Sequence, residues 1–147
     1  MPYRYRTQSE HDLVVRESAR TYGEQEKKGY KVTTNPDGEK NFYVGTEQNQ
    51  KFPDIVVWEP SSPQSTGGNV LIIEEVETDE SVTEDHATQW KEYGDLGISV
   101  FRLIVPKTRA STAKSIVDTK KIRVSEIWSY VMHNGSVSFE KYHVYPN

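Results

Sequence analysis

Acidic side chains stand at the ends of two apolar runs of this chain. Asp54 opens one run, and Glu75 and Glu77 close the next one. Because side chains alternate between the two faces of a strand, Glu75 and Glu77 point the same way and Glu74 points the opposite way. Carboxylates that converge at strand ends repel one another strongly unless a cation lies between them. If the two strands are neighbours, Asp54 can join the glutamates, and the pattern predicts a divalent-metal site.

The ligand types indicate which metal such a site would take. The chain contains no cysteine, which excludes thiolate metal sites and disulfide bonds. Hard oxygen ligands suit Mg²⁺ or Mn²⁺ rather than Zn²⁺. The four histidines show no ligand spacing and are interpreted as structural or exposed, although His86 follows the acidic residues closely in sequence.

The formal net charge of −4 is unevenly distributed along the chain. Residues 74–95 contain nine acids and one base, a charge of −8, whereas the remainder contains 13 acids and 17 bases, a charge of +4. An acidic centre in a mildly basic frame is typical of a metal site that faces a polyanion. The alternative is a solvated acidic helix beside ordinary surface lysines. The bases between residues 107 and 123 likewise indicate either phosphate contact or a solvated helix face.

Hydrophobic periodicity and turn signals predict alternating helices and strands. The predicted elements are a helix over 9–28, a hairpin of strands 30–34 and 41–44 around a turn at 35–38, a strand over 55–58, a polar loop over 60–68, a strand over 70–76, a helix over 82–95, a strand over 98–105, a helix over 110–119, and a hairpin within 122–144. Ser81 and Glu84 match a capping box at the start of the helix over 82–95. Asn134-Gly135 indicates the turn of the last hairpin.

This order of elements predicts an α/β or α+β fold, in which helices flank a mixed central β-sheet. A C-terminal helix and β-hairpin complete it. The 147 residues fit a single domain spanning 1–147. The Pro36-Asp37 dipeptide lies in the predicted turn and is interpreted as ordinary turn chemistry.

The segment that runs from Pro53-Asp54 to Glu75-Val76-Glu77 resembles the signature of the PD-(D/E)XK phosphodiesterase superfamily. The order of predicted elements over about 9–105 also resembles the core of that superfamily, the restriction-endonuclease-like fold. Residues 106–147 would then form a C-terminal extension.

Two further positions are similar to features of this superfamily. The spacing of Gln89 and Tyr93 resembles the Q-x-x-x-Y motif of RecB-like members, and residues four apart share one face of a helix. The leading helix of such proteins often carries a glutamate near the metal. Glu17 is the best match in this chain, and Glu24 is the second candidate.

The resemblance implies a mechanism of phosphodiester hydrolysis. Asp54, Glu75 and the main-chain carbonyl of Val76 would hold Mg²⁺ or Mn²⁺, with Glu17 as a further ligand. The metal would polarise the scissile phosphate and lower the pKa of a bound water. Glu77 would orient or deprotonate that water.

The helix that follows the signature would supply further groups. Gln89 and Tyr93 would position the phosphate or the water. The superfamily usually has lysine where this chain has Glu77. Some restriction enzymes are similar in using glutamate there. Lys91 offers an alternative source of the lysine, and a third interpretation is a member of the superfamily that has lost cleavage.

We therefore expect a metal-dependent nuclease that hydrolyses DNA, an endonuclease of restriction or resolvase type. The alternative is a catalytically inactive nuclease-fold module that binds nucleic acid or a protein partner, and a third class is a small regulatory α/β protein with solvated acids. The small size predicts a homodimer, since cutting both strands of a duplex generally needs two sites. The polar N-terminus has no apolar run, which predicts a cytoplasmic protein without a membrane span.

Overall fold

A computed structural model describes residues 2–35, 40, 42–60 and 69–146 of the chain. The chain divides into two compact units, Met1–Glu74 and Glu75–Asn147. The predicted polar loop at 61–68, the turn residues 36–38 and the predicted strand residue Asn41 lie outside the described residues.

In its described residues, the first unit contains two helices, four whole strands and most of a fifth. They are α1 (Pro2–Arg20), α2 (Gly23–Lys27), β1 (Lys31–Thr34), β2 (Val44–Thr46), β3 (Asn49–Lys51), β4 (Ile55–Trp58) and β5 (Val70–Val76), of which β5 continues into the second unit. The second unit then contains α3 (Glu84–Gly94), β6 (Val100–Pro106), a 3-10 turn (Lys107–Arg109), α4 (Ala110–Lys120), β7 (Glu126–His133) and β8 (Ser136–Val144).

In the first unit, β4 is the central strand of an antiparallel sheet with the order β1-β4-β5. All four residues of β4 are buried, which explains its unbroken apolar sequence. In the β4–β5 register, Ile55 lies opposite Glu74. β4 and β5 begin and end at the residues predicted for the strands over 55–58 and 70–76, so both predictions are confirmed.

The hairpin predicted for strands 30–34 and 41–44 is wrong. β1 pairs with β4 instead, and β2 pairs with β3 in a separate two-stranded sheet. Pairing with β4 gives β1 a fully buried neighbour, and the Trp58 indole donates to the Thr33 hydroxyl at 2.8 Å across that pair. This long-range packing outweighs the local turn signal.

The single helix predicted over 9–28 is interrupted. The Ser18 carbonyl accepts hydrogen bonds from both the backbone N–H and the hydroxyl of Thr21, at 3.0 and 2.6 Å, and these bonds end α1 before α2 begins. Gly29 follows α2 with φ of 96°, the left-handed conformation expected of a residue after a helix.

In the second unit, the strand order is β6-β7-β8. β6 and β7 are parallel and are connected through α4, and β7 and β8 form an antiparallel hairpin. Asn134 and Gly135 both have positive φ, 51° and 80°, as a type I′ turn requires. The C-terminal helix and hairpin are thus confirmed, as is a mixed α+β fold whose strand pairs are both parallel and antiparallel. The restriction-endonuclease-like core and the single domain stay predictions.

The predicted N-cap of α3, Ser81, is wrong by two residues. Thr83, and not Ser81, is the N-cap, and its side chain accepts from the backbone N–H of His86. The Ser81 hydroxyl instead accepts from the Thr78 N–H at 2.9 Å, so it stabilises the turn that leads from β5 to α3.

None of the helices in the described ranges is long and apolar enough to cross a membrane.

A charged cluster joins three strands of the second unit around Glu126. Its carboxylate accepts from Arg102 at 2.7 Å and from the Trp128 indole at 2.8 Å, and Lys141 lies at 3.5 Å. Burial tends to raise the pKa of Glu126, but the hydrogen bonds from Trp128 and Arg102 and the charges of Arg102 and Lys141 outweigh it and hold this pKa below its ordinary value. The cluster therefore stabilises the ionised acid in the folded chain.

We expect Glu126→Gln to lower the free energy of unfolding at pH 7 by about 1.5–3 kcal/mol, the range for hydrogen bonds to a charged group. Because the pKa is lower in the folded state, this stabilisation is present above the ordinary glutamate pKa and is lost as the pH falls through the folded value. Urea denaturation at pH 7, 5 and 3 should show the difference from wild type shrinking toward pH 3. Glu140→Gln on exposed β8 is the control, and a difference that stays constant with pH contradicts the prediction.

Candidate metal site

Asp54 lies in the bend immediately before β4 in the first unit and is buried. Its Oδ2 is 3.2 Å from Nε2 of His11 on α1. His11 shares one face of α1 with Val14 and Ser18, at intervals of three and four residues. Burial opposes protonation of His11, but the hydrogen bonds and negative charges of Asp54 and Asp12 outweigh it and raise its pKa to about 9. A cationic imidazole therefore faces Asp54 at neutral pH.

Asn35 fixes the backbone on either side of Asp54. Its N–H donates to the Asp54 carbonyl at 3.0 Å, and its side-chain amide donates to the Pro53 carbonyl at 2.7 Å. The same side chain donates to the carbonyl of Phe42 and accepts from the N–H of Phe42, both at 2.8 Å. Asn35 is buried, so it supports the bend that carries Asp54, a role that its place in a turn sequence does not indicate.

Glu74 is the last residue of the first unit, and its buried carboxylate has two hydroxyl donors. Ser18 donates to Oε1 at 2.6 Å, and the Tyr22 hydroxyl donates to Oε2. Ser18 lies on α1, and Tyr22 lies between α1 and α2. Glu75 is the next residue of β5, so strand alternation gives it the opposite direction from Glu74, and Glu77 follows the end of the strand.

Glu75 and Glu77 lie in the second unit and are almost completely buried, with 4% and 3% of their surfaces exposed; Asp54 of the first unit has 9%. The backbone of Glu77 is held on both sides. Its N–H donates to the Ile104 carbonyl at 2.8 Å, and its carbonyl accepts from the Tyr130 hydroxyl at 3.0 Å. These bonds continue the order of β5 beyond its last strand residue, Val76, and fix where the Glu77 side chain starts.

The Glu77 carboxylate contacts His86 in the first turn of α3. Nδ1 of His86 is 3.1 Å from Oε2 of Glu77. The two side chains differ in exposure, 47% for His86 and 4% for Glu77. An ionised carboxylate only accepts hydrogen bonds, so an ionised Glu77 favours the ring forms of His86 that carry a proton on Nδ1.

Gln89 and Tyr93 contact each other on α3. The Gln89 amide donates to the Tyr93 hydroxyl at 3.2 Å. Tyr93 is buried and packs edge-on against Phe101 with 6.0 Å between the ring centroids, whereas Gln89 is exposed. The prediction that the two residues share one helix face is confirmed, and their roles at a phosphate or water stay predictions.

The remaining candidate residues form local ion pairs. Lys91 pairs with Asp95 at 3.1 Å, Glu17 with Arg20 at 3.1 Å, and Glu24 with Lys27 at 3.3 Å. Pairs of this kind on a helix surface contribute only about 0.3–0.5 kcal/mol each. They do not add support for Glu17 as a ligand or for Lys91 as a source of the lysine function, which stay predictions.

Among the described residues, no group of three or more histidine, aspartate or glutamate side chains is arranged to hold a metal ion. The predicted ligand set needs fewer protein side chains, because it consists of Asp54, Glu75 and the carbonyl of Val76. Mg²⁺ usually binds through one or two carboxylates and takes its other ligands from water and phosphate. The donor types therefore fit Mg²⁺ or Mn²⁺.

Sequence reasoning missed Asn35 and His11 as neighbours of the candidate acids, and it noted only that His86 is close to the acidic residues in sequence. A signal existed for His11, which begins a helical stripe that continues with Val14 and Ser18. His86 also lies three residues before Gln89 and seven before Tyr93, which is the spacing of one helix face. No local pattern marks Asn35, because its partners come from distant parts of the chain.

We expect Asn35→Ala to lower the free energy of unfolding by about 2–4 kcal/mol, because it leaves the buried carbonyl of Pro53 and the N–H of Phe42 without this partner. Urea denaturation monitored by tryptophan fluorescence measures the change. Asn69→Ala, at an exposed position, is the matched control. Equal stability of both variants would show that Asn35 does not hold the bend.

Comparison with known proteins gives no match: no protein-family model fits the sequence, and no curated protein or solved structure matches it. The resemblance to the PD-(D/E)XK superfamily therefore rests on the motif residues and on the order of the predicted elements.

Proposed function

We propose that this protein is a metal-dependent nuclease that hydrolyses phosphodiester bonds of DNA. The observation that carries the proposal is the pairing of the two strands that bear the motif. Ile55 lies opposite Glu74 in the β4–β5 register, and the next residues along the chain, Asp54 before Ile55 and Glu75 after Glu74, are the two acids to which the motif assigns the metal. Both acids are buried, as ligands of a hard cation often are.

In this mechanism the protein supplies oxygen ligands and positions the substrate. Asp54, Glu75 and the Val76 carbonyl are the ligands of Mg²⁺ or Mn²⁺, and the bound metal supplies Lewis-acid activation of the phosphate and of a water. Gln89 and Tyr93 orient the phosphate through their amide and hydroxyl groups. Glu77 orients the attacking water or takes part in the removal of its proton.

The charge distribution supports a polyanionic substrate. The segment from 74 to 95 contains Glu75 and Glu77 of the candidate site and has a net negative charge, whereas the rest of the chain is net positive. Three of the bases between residues 107 and 123, namely Lys120, Lys121 and Arg123, are exposed around the end of α4, where they are accessible to phosphates. Cleavage of both strands of a duplex further implies a homodimer, which brings two such sites to one DNA molecule.

One observation favours the alternative, a nuclease-fold module that binds nucleic acid or a protein partner without cleaving. The motif has Glu77 in place of lysine, and the ammonium of Lys91 pairs with Asp95 on the exposed surface of α3. A protein of this second kind would bind duplex DNA in a salt-dependent way and leave it intact.

We expect the wild-type protein to nick or linearise plasmid DNA in the presence of Mg²⁺ or Mn²⁺, and to be inactive in EDTA. Asp54→Asn and Glu75→Gln should each lower the cleavage rate at least about 100-fold, because each removes a charged ligand of the catalytic metal. Agarose-gel assays with supercoiled, linear and branched substrates measure the rates. Glu92→Gln, at an exposed position on α3, is the matched control and should cleave normally.

Two results of this assay contradict the proposal. One is the absence of cleavage by wild type on all three substrates with either metal, and the other is undiminished cleavage by Asp54→Asn. If wild type binds duplex without cleaving it, the alternative function replaces the first.

Metal binding is measurable without any substrate. We expect isothermal titration with Mn²⁺ to give one site per chain in wild type and an affinity at least about 10-fold weaker in Glu75→Gln, since a ligand carboxylate is lost. Glu92→Gln should bind as wild type does. Equal affinities of wild type and Glu75→Gln would remove Glu75 from the ligand set.

A further inference from the structure

His86 and Glu77 form a pair whose geometry is fixed from both sides. The backbone of Glu77 is bonded to Ile104 and to the Tyr130 hydroxyl, and the backbone N–H of His86 is bonded to the Thr83 cap at 3.2 Å. The contact between Nδ1 and Oε2 closes the arrangement. A carboxylate bonded to one ring nitrogen fixes the tautomer and the orientation of an imidazole, so that the other nitrogen acts as the acceptor.

His86 also belongs to the same face of α3 as the two residues that resemble the Q-x-x-x-Y motif. It precedes Gln89 by three residues and Tyr93 by seven, and these spacings bring side chains to one face of a helix. The Gln89–Tyr93 hydrogen bond shows that two of these three side chains contact each other on that face. Glu77 directly follows β5, two residues after the candidate ligand Glu75. Within the second unit, His86 therefore contacts a residue of the signature and shares a helix face with the two motif residues of α3.

We propose that His86 accepts the proton of the attacking water, and that Glu77 is the positioning residue that holds it. This inference rests on the proposed nuclease function and assigns the role that the superfamily gives to lysine. His86 suits the role better than Glu77 does, because nearly half of its side chain is exposed to water while the Glu77 carboxylate is buried and engaged by Nδ1.

In the proposed step, a water gives one proton to Nε2 of His86, and the water oxygen forms a bond to phosphorus. The bond between phosphorus and the leaving sugar oxygen breaks, and that oxygen takes a proton from solvent. The imidazolium, stabilised by the Glu77 carboxylate, returns its proton to solvent, so that no oxidant, reductant or further reactant is consumed.

The tautomer of His86 tests the pair independently of catalysis. We expect long-range ¹H–¹⁵N spectra of the metal-free wild type, recorded above the pH at which the ring is charged, to show His86 protonated at Nδ1. Exposed His133 in the same spectra serves as the internal reference, because it lies on β7 outside the pair. Glu77→Gln should decrease the Nδ1–H population of His86 and leave His133 unchanged. An Nε2–H tautomer of His86 in wild type overturns the proposal.

Cleavage with Mg²⁺ tests the role of the pair. We expect His86→Ala to lower the cleavage rate constant at saturating DNA at least about 100-fold, the range for loss of a general base, with Mn²⁺ affinity unchanged and with partial recovery on addition of imidazole. His133→Ala is the matched control and should cleave at the wild-type rate.

The outcomes separate this inference from the proposed function. Cleavage by His86→Ala at the wild-type rate overturns the role of His86 and leaves the nuclease function intact. A loss of Mn²⁺ affinity in His86→Ala makes His86 a metal ligand and also overturns the inference. Absence of cleavage by wild type overturns the nuclease function and the catalytic role of His86 together, whatever the tautomer.

Discussion

An ionised carboxylate is costly to bury unless hydrogen-bond donors or a cation compensate it, and the end of β5 meets this constraint three times within four residues. Glu74, Glu75 and Glu77 are all buried. Glu74 accepts from two hydroxyls of the first unit, and Glu77 is held against His86 in the second. Strand alternation points the structural acid Glu74 away from Glu75, and Glu75 belongs to the ligand set of the proposed divalent cation.

The candidate acids are positioned by backbone contacts from distant parts of the chain. Asn35 bonds to the carbonyls of Pro53 and Asp54, and the carbonyl of Ile104 and the hydroxyl of Tyr130 bond to the backbone of Glu77. A backbone fixed on both sides limits where a carboxylate can move. This kind of support is what a metal or a reacting water requires, because small displacements of a ligand or base are expensive in rate.

The sequence indicates elements whose stability is local and misses contacts that depend on the tertiary fold. β4 is an apolar run, β5 is an apolar run that ends in acids, and the bounds of both were predictable to the residue. The Asn134-Gly135 turn specifies its hairpin through positive φ. The partner of β1 was not predictable, because burial against β4 decides it. The motif acids were found from their types and spacing, whereas His11 and His86 became recognisable as their neighbours only when the helices that carry them were packed.

The replacement of lysine by Glu77 changes the charge balance of the motif. With lysine, two acids and one base would leave a modest excess of negative charge, but here three acids occupy the same signature. At Asp54 the cationic His11 offsets part of that excess, and the Glu77 carboxylate contacts the ring of His86. Both histidines contact the acids through short, buried or half-buried pairs, so the chain tolerates the acids before any metal binds. A glutamate that positions an imidazole therefore keeps a proton acceptor in the signature and supplies its own compensation, which a glutamate acting alone would not.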